Sequence, residues 1–267
     1  SVPLFLVLGN HDGETGYRFD PRSDSSMTLW ANKQRKRYFP NPYPDSFYGG
    51  NSVKYENAGL VEDYYSWEWG NSLFIVLDPY WYTVSKNKSV EDNWNRTLGI
   101  DQYNWLKETL ESSKAEFRFV FIHQLIGGSD RNGRGGIEAA HLFEWGGYNI
   151  EHEYTFKENR PMWEMPIHDL LVTYNVSAVF HGHDHFFAKQ NLDGIVYQLV
   201  PQPGHRGNKY PRQAKEYGYE QGEILGGSGY LLVEVNDEIT VSFMKNTSAA
   251  NGSAFLENTF SYQIPAQ

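Results

Sequence analysis

Two histidines two positions apart, His183 and His185 in Gly182-His183-Asp184-His185, follow the apolar run Val176-Ser177-Ala178-Val179-Phe180. At the mouth of a buried strand, that spacing can present two imidazoles to a pair of adjacent metals. The glycine is expected to let the backbone pass close to them. Leu4 to Leu8 reads as another buried strand and leads at once into Gly9-Asn10-His11-Asp12. A third apolar run, Phe117 to Ile122, ends on His123. Three strands that each deliver His or Asn at the same end describe a metal site better than they describe a core. Imidazole, amide and carboxylate donors suit Zn, Fe, Mn and Co alike.

The elements that must position these residues alternate along the chain. Tyr64 to Trp69, Gly70-Asn71 and Leu73 to Leu77 predict a β-hairpin with a tight turn. Asp101 can cap a helix whose face is Tyr103, Leu106 and Leu110, closing near Ser113. Residues 124 to 160 carry seven glycines at Gly127-Gly128, Gly133, Gly135-Gly136 and Gly146-Gly147, and predict a long functional loop. Pro166 stands where a helix could begin, with Ile167, Leu170, Leu171 and Tyr174 on one face. Strands are expected at 195–200, 230–235 and 239–244, the last two joined around Asn236-Asp237. Lys33-Gln34-Arg35-Lys36-Arg37 reads as the solvated face of a helix. The pattern predicts one α/β domain over 1–267, with mixed sheets.

Composition limits the function classes. Hydrophobic residues are 40% and aromatics 16% of 267, enough for a substantial core. No run approaches the ~18 apolar residues of a membrane span, so a soluble protein is expected, secreted or periplasmic if a leader has been removed. The formal charge of −10, from 23 basic and 33 acidic residues, argues against a nonspecific nucleic-acid binder. It leaves room for an anionic substrate, because bound divalent cations reverse the local sign. There is no cysteine, so thiolate ligands, thiol nucleophiles and disulfides are excluded together. Five Asn-X-Ser/Thr sequons, at Asn87, Asn95, Asn175, Asn246 and Asn251, matter only in a eukaryotic secretory host.

Gly9-Asn10-His11-Asp12, His123 at a strand end and Gly182-His183-Asp184-His185 come in the order that calcineurin-like metallophosphoesterases use, and the chain resembles that family over about residues 1 to 245. Asp78, after the second strand of the hairpin, fits the same pattern. The resemblance implies a four-layer α-β-β-α sandwich with two mixed sheets, N-terminally truncated. It implies two divalent metals that activate a water for attack on a phosphate ester. Asn10, His123 and His183 match ligands of one metal, and His185 matches a ligand of the other. His11 matches the histidine over the phosphoryl group, and Asp12 the residue that buttresses it.

The family also carries an Asp-X-His and a Gly-Asp-X-X-Asp ahead of the Asn-His motif, and this sequence contains neither. It starts abruptly on the expected first strand, so either processing is expected to have removed upstream residues or the chain is the later part of a longer protein. On that count this chain alone holds one metal or none, and catalysis by it alone is in question. A noncatalytic binding module and an inactive remnant of the fold are the alternatives. Among the other histidines, His181 is expected to be structural, and His152 and His168 inert. His141, with Arg131, Arg134 and Glu138, and His205-Arg206 are candidates to cap the metal centre and offer Arg to a phosphate. Trp67, Trp69, Tyr80, Trp81 and Tyr82 are expected to pack the core and hairpin. Oligomeric state is not set by the sequence.

Overall fold

Gly70-Asn71 closes a β-hairpin, with Gly70 in the left-handed region at φ 62° and Trp69 opposite Ser72. The computed structural model describes residues 2–20, 26–204, 212–248 and 254–266. The chain begins with helix α1 (Met27–Tyr38) and the short strands β1 (Gly49–Gly50), β2 (Lys54–Tyr55) and β3 (Gly59–Leu60). The hairpin β4 (Tyr65–Trp69) and β5 (Ser72–Val76), α2 (Ile100–Ser112) and β6 (Phe117–Ile122) follow. Next come α3 (Phe143–Gly146), α4 (Phe156–Asn159), α5 (Ile167–Thr173), β7 (Ala178–His181), β8 (Phe187–Leu192) and β9 (Ile195–Leu199). The last elements are α6 (Arg212–Glu216), β10 (Glu223–Leu225), β11 (Gly229–Val235), β12 (Ile239–Ser248) and β13 (Ala254–Ile264).

Eight strands form one mixed sheet in the order β1-β4-β5-β6-β7-β9-β8-β10. Its centre is parallel, with β5 on β6, β6 on β7 and β7 on β9, and its flanks are antiparallel. The central strands read as apolar runs because they are buried on both faces. Odd residues of β6, Phe117 and Phe119, meet Ile239, Val241 and Ile264 of a second sheet. Even residues, Val120 and Ile122, pack under Leu106 and Leu110 of α2 and Leu170 and Leu171 of α5. Helices, large sheet and small sheet therefore stack in the α-β-β order of the expected sandwich.

The small sheet, β11-β12-β13, corrects one expectation, since it is antiparallel throughout rather than mixed. A strand joined to its neighbour by a tight turn, as β11 is to β12 around Asn236-Asp237, must run antiparallel to it. Leu4 to Leu8 is a second correction, because it forms no strand. Leu6 N–H donates to Asn41 Oδ1 (3.1 Å), and Leu6 O accepts from Asn41 Nδ2 (3.1 Å) and the Tyr65 hydroxyl (2.9 Å), so side chains occupy the groups a ladder would use. Third, α2 is capped by Gly99, and Asp101 lies inside the first turn. The 124–160 stretch is also less irregular than its glycines suggest, since it holds α3, α4 and a 3-10 turn at Ile137–Ala139. Among the described residues, no helix is long and apolar enough to cross a membrane.

The basic cluster does lie on a helix, α1, but two of its cations are not solvated. Arg35 binds Glu14 (Nε to Oε1, 2.6 Å) and donates to Val61 O (2.6 Å), with a side chain only 8% exposed. Lys36 Nζ donates to Ala58 O (2.7 Å) and Leu60 O (2.6 Å). The helix thereby clips the 58–62 segment to the N-terminal stretch.

Candidate metal centre

Parallel pairing aligns the C-terminal ends of β5, β6 and β7, with Val76 opposite Phe121 and Ile122 opposite His181. Loops at such an edge are where open α/β sheets bind ligands. Here the edge delivers His123 directly after β6 and Gly182-His183 directly after β7. Gly182 N–H donates to His123 O (2.8 Å), which locks the two loops together. Asn10 arrives from the N-terminal stretch on a turn closed by Asp12, whose backbone N–H donates to Gly9 O (3.1 Å) and whose Oδ2 accepts from Gly9 N–H (2.6 Å).

Three donor atoms meet there. His123 Nε2 lies 2.9 Å from Asn10 Oδ1 and 3.2 Å from His183 Nδ1. The far nitrogen of His183, Nε2, is 3.1 Å from Asn132 O. A carbonyl can only accept, so the network assigns the proton to Nε2 and leaves a lone pair on Nδ1. Burial pushes the His123 imidazole down to about 4 and the His183 imidazole to about 3, so both are neutral at pH 7. Neutral imidazole is the form that binds a metal.

Ligand atoms 2.0–2.1 Å from one cation stand about 3.0–3.4 Å apart, close to the two separations found. The donor set thus fits a divalent cation in kind and spacing. It is a set of two imidazoles and an amide. Among the described residues, no three His, Asp or Glu side chains gather to hold a metal. His185 is exposed and near enough for its charge to act on His123.

The backbone around these histidines is unusual. His183 and His185 both lie in the left-handed region, at φ 75° and 68°, a conformation that costs a non-glycine residue on the order of 1–3 kcal/mol. Asp184 between them is buried and anchors the turn. Its Oδ2 accepts from the Tyr219 hydroxyl (2.8 Å) and Gly135 N–H (3.1 Å), and Arg134 stands 3.6 Å from Oδ1. Burial raises its carboxyl to about 6. The glycine that the site needs is not Gly182, where an added Cβ would make only ordinary contact at 3.6 Å. It is Gly9, where a Cβ would press on the His123 ring at 3.0 Å.

A cleft of about 520 Å³ opens beside Asn10, His11 and His183. Among the described residues its walls carry five cations, Arg18, Lys86, Arg96, Arg131 and Arg134, and no carboxylate, in a chain of net charge −10. The exposed His11 lines this cleft. Tyr80, expected to be packing, lines it too and donates its hydroxyl to Gln124 Oε1 (2.8 Å). Nothing local in the sequence marks Arg18, Lys86 or Arg96, which sit in ordinary polar stretches.

The remaining candidates lie elsewhere. Asp78 is buried and accepts from Tyr80 N–H (2.9 Å) and Trp81 N–H (3.1 Å), so its carboxylate shapes its own turn. His141 pairs with His152 (3.1 Å), their rings stacked 5.1 Å apart. His168 lies on α5. It is buried between the Tyr197 hydroxyl (2.7 Å) and Asp193 (3.0 Å). His181 is buried as expected, held neutral near 3, with no partner for Nε2 among the described residues. Trp67 stacks between Phe5 and Phe74, whereas Trp69 is exposed. His205 and Arg206 lie outside the described residues.

Comparison with known proteins adds the following. The profile described as calcineurin-like phosphoesterase matches residues 1–187. No curated protein matches the chain. Among solved structures the fold is similar to PhoD, at 16% identity and a TM-score of 0.62, covering 97% of this chain and 52% of that one. A purple acid phosphatase isolated from yellow lupin (Lupinus luteus) seeds is similar at 14% identity and a TM-score of 0.46, covering 97% of this chain and 40% of that one. The chain thus spans about half the length of PhoD.

Proposed function

The chain belongs to the calcineurin-like phosphoesterases, a family of metal-dependent phosphoester hydrolases, and on that premise we propose that it hydrolyses phosphate esters at the mouth of the cationic cleft. The observation that carries this reading is the meeting of Asn10 Oδ1 and His183 Nδ1 on His123 Nε2, at 2.9 and 3.2 Å, beside that cleft. These three side chains would hold one divalent transition metal (Zn, Fe, Mn or Co), and His185 would contribute to a second. Metal bound in such a site polarises phosphoryl oxygens and lowers the pKa of bound water to about 7.

The chain's own residues supply the rest. His183 keeps its lone pair directed at the site because Asn132 O fixes its other nitrogen. His11, exposed in the cleft, is placed to orient a phosphoryl group and to give a proton to the departing oxygen. Asp12 acts on His11 through the Gly9–Asp12 turn, which sets the direction in which Asn10 and His11 leave the backbone. The whole of 1–267 is read as one phosphoesterase domain.

A second reading, an inactive remnant of the fold, is favoured by one observation: among the described residues, no third His, Asp or Glu side chain joins His123 and His183 to hold a metal. Elemental mass spectrometry of metal per chain, paired with hydrolysis of an aryl phosphate before and after EDTA, separates the two. One or more equivalents of metal with EDTA-sensitive turnover is expected. Turnover indifferent to EDTA would overturn the metal reading, and neither metal nor turnover would establish the remnant. His183→Ala is expected to lose metal and activity together, whereas His11→Ala keeps the metal and slows turnover.

A further inference from the structure

Arg96 is a cation of the cleft that the fold withdraws from water without a counter-charge. It is half-buried, and its Nη2 donates to Arg131 O (2.8 Å). Its Nε is buried with no hydrogen-bond partner, and no carboxylate lies within ion-pair distance of it among the described residues. The nearby Asp130 carboxylate is already engaged, accepting from the N–H groups of Asn132 (2.8 Å) and Arg134 (3.1 Å). Burial therefore pushes the Arg96 guanidinium down with no salt bridge to restore it. A desolvated cation without a counter-charge is costly, and an anionic ligand is what offsets that cost.

The loop that faces Arg96 is a built one. Asn93 Nδ2 donates to the carbonyls of Gly127 (2.7 Å), Asp130 (2.9 Å) and Gly128 (3.3 Å). Ser129 N–H donates to Arg134 O (2.7 Å), and a Cβ on Gly128 would fall 2.2 Å from the Gly133 carbonyl carbon. The loop thus crosses itself at two glycines and projects Arg131 and Asn132 into the cleft. Asn132 O holds His183, so this cationic end adjoins the three donor atoms. Arg134 is committed elsewhere, 3.6 Å from Asp184 and 4.0 Å above the Tyr217 ring. The donor atoms and His11 can serve one phosphoryl group, which leaves Arg18, Lys86, Arg96 and Arg131, and of these Arg96 and Arg131 are joined by a hydrogen bond on the loop that holds His183.

We propose that the cleft takes a phosphate ester bearing a second phosphoryl group, and that Arg96 with Arg131 forms the subsite for that second group. The assignment rests on the phosphoesterase reading for the first group but not for the second. Arginine forks match phosphate oxygens pairwise, so removing one fork is expected to cost about tenfold in affinity.

The test is a calorimetric titration of the whole chain in EDTA with inorganic phosphate and with pyrophosphate. Pyrophosphate should bind at least about tenfold more tightly. Arg96→Gln should remove most of that preference while changing phosphate affinity less than about threefold. Arg131→Gln, at an exposed side chain whose loss leaves the fold intact, should move in the same direction, and Arg37→Gln on α1 should change neither. Equal affinity for the two anions, or a preference unchanged in both cleft variants, overturns the subsite. Because no metal and no turnover enter the measurement, the two claims fail separately. A pyrophosphate preference in a chain that hydrolyses no aryl phosphate upholds the subsite and overturns the phosphoesterase reading.

Discussion

Arg35 under α1 and Arg96 in the cleft are both arginines withdrawn from water, and the fold treats them in opposite ways. Arg35 has Glu14 at 2.6 Å, Val61 O at 2.6 Å and Glu62 at 4.0 Å from Nη1, while Asn32 Nδ2 braces the other side of Glu14 at 2.8 Å. Burial pulls the Arg35 pKa down, and Glu14, Glu62 and Asp63 together more than restore it, so the net shift is upward. Arg96 feels the same pull with no such answer, and its pKa falls. A buried charge answered within its own chain is part of the scaffold. One left unanswered, in a cleft that no carboxylate lines among the described residues, is what the proposed anion subsite is built on.

The contrast makes the two regions separable by experiment, since cleft changes should harm function and spare stability, and α1 changes should do the reverse. The largest effect expected is that of His11→Ala on kcat, a fall of about 10²–10⁴-fold, with unfolding free energy within about 0.5 kcal/mol of the parent. Steady-state kinetics and urea unfolding of the same preparation read both. Next, Arg35→Ala strands Glu14 and should cost about 3–5 kcal/mol in urea. A similar loss from Arg96→Gln would erase the distinction between the two arginines.

Asp63 sharpens the picture of the α1 region through pH. It is fully buried, accepts from Asn51 Nδ2 at 2.8 Å, and burial raises its carboxyl from 3.8 to about 6. The folded protein therefore holds this proton more tightly than the unfolded chain does. The stability it contributes is fully present below pH 3.8 and is lost as pH rises through about 6. At about 1.4 kcal/mol per pH unit, the loss is on the order of 3 kcal/mol. Asp63→Asn should abolish that component, so the variant gains on the parent between pH 4 and pH 7 in paired urea titrations. If the difference between the two proteins is the same at both pH values, Asp63 does not carry the proton. The smallest effect belongs to Arg37→Gln, exposed beside Tyr38 on α1, which should stay within about 0.5 kcal/mol.

What the sequence disclosed depended on whether the signal was local. Gly70-Asn71 between two alternating runs predicted the β4–β5 hairpin, and unbroken apolar runs predicted β6, β7 and β9. Asn10, His123 and His183, each singled out by its place after such a run, do meet in space. Leu4 to Leu8 looked the same by composition, but whether a run becomes a strand depends on its neighbours, and here Asn41 and Tyr65 take the bonds. The strands β8 and β13 went unread because Phe187-Ala188-Lys189-Gln190 and Glu257-Asn258-Thr259 mix polar residues into the pattern. Arg35 looked like one of several solvated cations because Glu14, 21 positions away, leaves no mark on the local charge pattern. Arg96 was invisible for the same reason, since its significance lies in what does not surround it.

Asn10, His123 and His183 are 113 and 60 positions apart in the contacts that join them, and the last pair depends on parallel strands β6 and β7 being in register. Contacts of such sequence separation form late in folding, after loop closure has been completed elsewhere. A cation that recognises only the assembled three donors would be captured at the end of refolding and would hold the native state by slowing its unfolding, with little effect on the folding rate. Metal uptake, followed in time, would then serve as a clock for the completion of the fold.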